Sequence, residues 1–76
     1  MPNFDKELDA SGLTCPMPVM KTKKMLQTLT SGQVLHLIAT DPGTKSDIPA
    51  LVGKTGDQII ETSEQDKTVH FYIKKE

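Results

Sequence analysis

The residues of this 76-residue chain best suited to covalent chemistry are Cys15-Pro16-Met17-Pro18, one thiol set among alternating prolines. Cys15 is the only cysteine, so the chain cannot close an internal disulfide or work as a two-cysteine redox enzyme. A single thiol can still accept a sulfur-linked group, hold it and give it up. The prolines fit the opening turn of a helix, whose first N–H groups have no intrahelical partner to lose. The residue before a proline is pushed out of the helical region. This pattern predicts Cys15 at the N-cap, Pro16 at the first helical position and Pro18 at the third. The positive end of the helix dipole would favour a thiolate there. Pro18 has no N–H, which leaves Met17 as the main donor to the sulfur and predicts only moderate thiolate stabilisation. That compromise suits a sulfur that must be both nucleophile and leaving group. The competing reading makes Cys15 a small helix cap and nothing more, although Ser, Thr, Asp and Asn cap better.

The rest of the chain supplies the elements that must hold this turn. Lys6 to Ala10 alternate polar and apolar, as a short strand does, and Ser11 to Thr14 form a loop. From Pro16 to Thr30 the period is helical, with Val19, Thr22, Met25, Leu26 and Leu29 on one face and Lys21, Lys24 and Thr28 opposite. Gly32 is placed to cap that helix. Gln33 to Thr40 is apolar on both sides apart from His36, which predicts a central strand. Asp41, Pro42 and Gly43 make a turn. A second helix is expected over Asp47–Thr55, with Ser46 as N-cap and Gly56 as C-cap, because a start at Thr44 would push Pro49 deeper into the helix. Gln58–Ser63 and Thr68–Lys74 read as a hairpin turning at Gln65, Asp66 and Lys67. The order is βαβαββ. It predicts an α/β (α+β) two-layer, open-faced sandwich with a four-stranded mixed sheet and both helices on one face. Val69, Phe71 and Ile73 should face the helices, and His36, His70 and Tyr72 should share an open sheet face.

Composition narrows the function. A chain of this size forms one domain, taken as residues 1–76, with a modest core and no deep cavity. The formal net charge is −1 and only three residues are aromatic. Both facts weigh against a protein that grips nucleic acid directly. No apolar run is long enough to span a bilayer, and Asp5, Lys6 and Glu7 interrupt the region where a signal peptide needs apolar residues. A cytoplasmic protein is expected. One cysteine with the distant His36 and His70 does not reproduce a zinc-ligand spacing, so no metal is expected.

Read with its flanks, the segment from Leu8 through Gly12, Leu13 and Thr14 to Cys15-Pro16-Met17-Pro18 resembles the signature of the TusA/SirA-like sulfur carrier family. The resemblance continues through Gly32, Ile38 to Pro42, and Asp47-Ile48-Pro49. It implies an open two-layer sandwich, with two helices on one side of a four-stranded mixed sheet. It also implies a sulfurtransferase of the carrier type in which Cys15 bears a covalent persulfide, with no separate cofactor, while Gly12, Leu13, Pro16 and Pro18 support the motif. The donor would be a cysteine desulfurase or a rhodanese-type enzyme, and the acceptor a downstream carrier of the TusD/DsrE kind. Such relays lead to 2-thiouridine in tRNA, to cytoplasmic sulfur oxidation or to molybdenum cofactor maturation. Members serving tRNA thiolation often have an acidic residue between the prolines, where this chain has Met17. Relay itself requires no stable oligomer, so a monomer is expected. The alternative is a non-catalytic regulatory or interaction module in which Cys15 only caps the helix.

Other residues are weighed around this turn. Met17 and Met20 fall off the main apolar stripe and are expected to form an adaptable contact patch for a partner beside the sulfur. Lys21 and Lys24, with Lys23, are expected either to dock an acidic partner or simply to stay solvated. Asp9 is expected to bond loop backbone. Asp41, Pro42, Thr44 and Asp47 are expected to form a turn and cap cluster at the edge that carries Cys15.

Overall fold

The computed structural model describes residues 3–76. Its elements are β1 (Lys6–Ala10), α1 (Met17–Thr28), β2 (Val34–Ala39), α2 (Thr44–Thr55), β3 (Gln58–Gln65) and β4 (Thr68–Lys74). The strands form one mixed sheet in the order β1-β2-β4-β3. β1 runs parallel to β2, and β4 runs antiparallel to both β2 and β3. This is the α+β sandwich expected from the element order.

Register explains the layering. Leu35, Leu37 and Ala39 stand opposite Ile73, Phe71 and Val69, so the apolar positions of β2 and β4 share a face. All six are buried. Leu26 and Leu29 from the first helical segment and Ile48 and Val52 from α2 close over them in one core cluster. Burying an aliphatic side chain of this kind is worth about 1.5–3 kcal/mol. Both helices therefore cover the same side of the sheet.

The other face is not open along its whole length, contrary to expectation. His36 is 5% exposed and Tyr72 only 1%. They stand opposite one another across the β2–β4 pair, and their rings stack with centroids 4.5 Å apart. Phe4 lies against both rings. The Asp5 backbone N–H donates to Val34 O at 2.8 Å, and Val34 N–H donates to Asp5 Oδ2 at 2.9 Å, which brings the N-terminal segment onto the sheet. The sequence pattern assigned the face but held no sign that a distant aromatic would cover it.

Three helix boundaries also differ from expectation. Pro16 is the N-cap of α1, so Met17 and Pro18 occupy the first two helical positions. At the other end the chain leaves the helix at Leu29 in an extended conformation, and Gly32 is not the cap. The left-handed Gly32 (φ 90°) instead serves the turn into β2, its N–H donating to Lys75 O at 2.7 Å. α2 starts at Thr44 rather than Asp47, with Gly43 as N-cap in place of Ser46. The Asp41 carbonyl accepts both the Thr44 N–H (3.0 Å) and the Thr44 hydroxyl (2.7 Å), which starts the helix early. Pro49 then lies inside the helix and denies the Lys45 carbonyl its backbone donor. Lys45 and Pro49 are both exposed, so water can replace that bond. Gly56 caps α2 as expected, left-handed at φ 82°, with its N–H on Val52 O.

Candidate functional site

Two loops build the site. After β1, Asp9 Oδ1 accepts the Ser11 N–H at 2.9 Å, and Ser11 bonding holds the Asp9 carboxyl below the usual carboxylate range. Gly12 adopts a left-handed conformation at φ 79°, where a Cβ is strained. Its N–H donates to Thr40 Oγ1 at 2.8 Å. Leu13 donates to Ala10 O at 3.1 Å and packs on the core. The motif residues Gly12 and Leu13 thus pin the loop to the end of β2 and to the interior.

The second loop supplies the anchor. Asp41 Oδ2 accepts the Cys15 N–H at 2.9 Å, and Oδ1 accepts the Gly43 N–H at 3.2 Å. One carboxylate therefore ties the cysteine to the start of α2. Pro18 is buried and roots the first turn of α1, while Pro16 stays at the surface.

Cys15 lies one residue before the N-cap, and no side chain caps α1. The cap-only reading of this cysteine therefore lacks the hydrogen bond it requires. The thiol is exposed. It sits in an open groove of about 310 Å³ between the two helices. Pro16 and Val19 form one wall, Ala50 and Leu51 the other, and Asp47 and Lys54 are the charged groups of the lining.

This setting reverses the expected bias toward thiolate. Partial withdrawal from water pushes the Cys15 pKa up, and Asp47 adds to the effect by hydrogen bonding and by charge. The Asp41 charge acts in the same direction. The Met17 N–H, the expected donor to sulfur, is taken by Thr14 O at 2.9 Å. The groove therefore favours the thiol form over the thiolate. Raised basicity also makes the sulfur, once ionised, a stronger nucleophile.

The remaining expected residues divide between two places. Met17 and Met20 are 41% and 57% exposed beside the motif. Lys21 and Lys24 instead line a separate hollow of about 220 Å³ with Leu8, Met25 and Thr28, away from the cysteine groove. Asp47 was legible as part of a turn cluster but not as the neighbour of the thiol. Lys54 was missed. Its signal is the seven-residue step from Asp47, which puts both on one face of the expected Asp47–Thr55 helix, although nothing in the sequence turned that face toward Cys15.

The model for the family described as "Sulfurtransferase TusA" matches residues 6–75. The chain belongs to the TusA family. The Sulfur carrier protein TusA of Allochromatium vinosum is 52% identical over 75 residues, covering 99% of each chain. A protein of Bacillus subtilis described as the putative sulfur carrier protein YrkI is 44% identical over 71 residues, covering 93% of this chain and 95% of its own. The crystal structure of a SirA-like protein from Desulfitobacterium hafniense superposes with a TM-score of 0.80 at 25% identity, over 92% of this chain and 96% of that one. The TusA assignment makes this protein a sulfur carrier, with sulfur donors and acceptors as its partners. Among the described residues, no helix is long and apolar enough to cross a membrane.

Proposed function

We propose that this TusA-family protein carries sulfur as a persulfide on Cys15 and acts as a sulfurtransferase between two protein partners. The observation that carries this reading is the exposed Cys15 thiol at one end of the inter-helix groove, on a turn held by Asp41 and stiffened by two prolines.

The exchange needs no cofactor beyond the sulfur itself. The Cys15 thiolate attacks the terminal sulfur of a protonated donor persulfide. A sulfur–sulfur bond forms on Cys15, the donor's bond breaks, and the donor cysteine leaves with the electron pair. The proton lost by Cys15 ends on that donor thiolate, so nothing is oxidised or reduced overall. Unloading repeats the exchange, with an acceptor cysteine as attacking thiolate and Cys15 as leaving group.

The donor on this reading is a cysteine desulfurase or a rhodanese-type enzyme, and the acceptor a TusD/DsrE-like carrier. Met17 and Met20 offer both an apolar contact beside the sulfur, while Lys21 and Lys24 offer charge farther along α1. The protein works in the cytoplasm as a monomer, without contacting nucleic acid or membrane. The product is thiolated tRNA, oxidised sulfur or matured molybdenum cofactor, according to the acceptor.

Intact-mass measurement tests the reading. After incubation with a persulfide donor enzyme, the wild-type chain should gain the mass of one sulfur atom and Cys15→Ser should gain none. A wild-type chain that stays unmodified with both donor classes overturns it.

A further inference from the structure

Asp47 and Lys54 lie seven residues apart on α2, two turns along one face and about 10.5 Å in axial rise, and both line the groove that holds Cys15. Asp41 adds a second carboxylate at the cysteine end. From α1 the groove receives Val19 and no charged side chain. Among the described residues, Lys54 is joined to no carboxylate in an ion pair. The groove is thus acidic beside the thiol and basic farther along α2.

Loading changes what occupies it. A neutral thiol can face two carboxylates without penalty. A persulfide is more acidic than its parent thiol and carries its charge on a terminal sulfur about 2.05 Å farther out. An anion at that point is repelled by Asp41 and Asp47 and attracted by an ammonium. We propose that Lys54 is the positioning residue for the loaded cysteine, its ammonium drawing the persulfide anion along the groove and away from Asp47. The inference rests on Cys15 being the sulfur-bearing residue. It adds a division of labour, with Asp47 serving the empty state and Lys54 the loaded one. Lys54 also lies in the last turn of α2, where a cation favours the helix dipole. That structural role would change stability but not the acidity of the persulfide.

The test uses the full chain loaded with inorganic polysulfide, which has no protein docking surface. The Cys15 thiolate takes one sulfane sulfur, and the shortened polysulfide leaves with the electron pair. Loading is verified by intact mass, and the near-ultraviolet absorbance of the persulfide anion is then titrated with acid. Lys54→Met should raise the proton affinity of the persulfide about threefold and Lys54→Glu about tenfold, both effects shrinking in high salt. Lys54→Arg should match wild type. A persulfide titrating identically in wild type and Lys54→Glu overturns the role of Lys54 alone. A wild-type chain that takes up no sulfur on Cys15 removes both this inference and the carrier reading beneath it.

Discussion

The Cys15 N–H donates to Asp41 Oδ2 over 2.9 Å. The sulfur is therefore placed by the loop that follows β2 as much as by the helix that follows it in sequence. Since Asp41 also accepts the Gly43 N–H, one side chain couples the cysteine turn to the start of α2.

Replacing Asp41 by Ala should cost about 1–2 kcal/mol in urea unfolding, because two backbone donors lose their acceptor. Sulfur loading from a donor enzyme should fall further than stability alone accounts for, since the cysteine turn is released. Loading at the wild-type rate in a folded Asp41→Ala domain would contradict the anchoring role.

Asp47→Asn should lower the Cys15 pKa. In wild type, withdrawal from water, Asp47 and Asp41 together raise it, so the folded state binds the thiol proton more tightly than the unfolded chain. That contribution to stability is present below the unfolded thiol pKa and is lost as pH rises through the folded one. Iodoacetamide alkylation rates followed against pH give the comparison. The variant's midpoint should lie below that of wild type, and coincident midpoints would show that Asp47 does not govern the thiol.

On the far side of the sheet, His36 Nδ1 meets Glu7 Oε2 and His36 Nε2 meets His70 Nδ1, both at 2.9 Å. Replacing His36 by Ala strands both partners and leaves Tyr72 without its stacked neighbour. A loss of about 2–3 kcal/mol is expected in thermal or urea unfolding. Sulfur loading by a donor enzyme should persist in the folded fraction, because the cluster lies across the sheet from the groove.

The β3–β4 turn contains a reserve of stability. Asp66 and Lys67 have φ of 50° and 67°, the signs of a two-residue turn that favours glycine at its second position. Lys67→Gly should stabilise the domain by about 1 kcal/mol, read as a higher urea midpoint. An unchanged or lower midpoint would show that no strain is relieved there.

Much of the architecture is local and so could be read along the chain. The period-two pattern of Val69, Phe71 and Ile73 set the helix-facing side of β4, and the four-residue step from Thr22 to Leu26 set the buried side of α1. Cys15 stood out because a proline follows it and no second cysteine exists. Misplaced boundaries had non-local causes. Asp41 starts α2 early through its own carbonyl, and Lys75 draws Gly32 away from the end of α1.

Residue types and spacing alone thus determine the strand and helix order, the aliphatic core and the place of the single thiol before a proline-rich helix start, because each depends on neighbours a few positions apart. The protonation state of that sulfur depends on groups 26 and more positions away, as with Asp41. Folding brings Asp41 and Asp47 to the thiol, and a charge acts through space whatever its distance along the chain. The local helix start favoured a thiolate, whereas the carboxylates of the assembled groove favour the thiol.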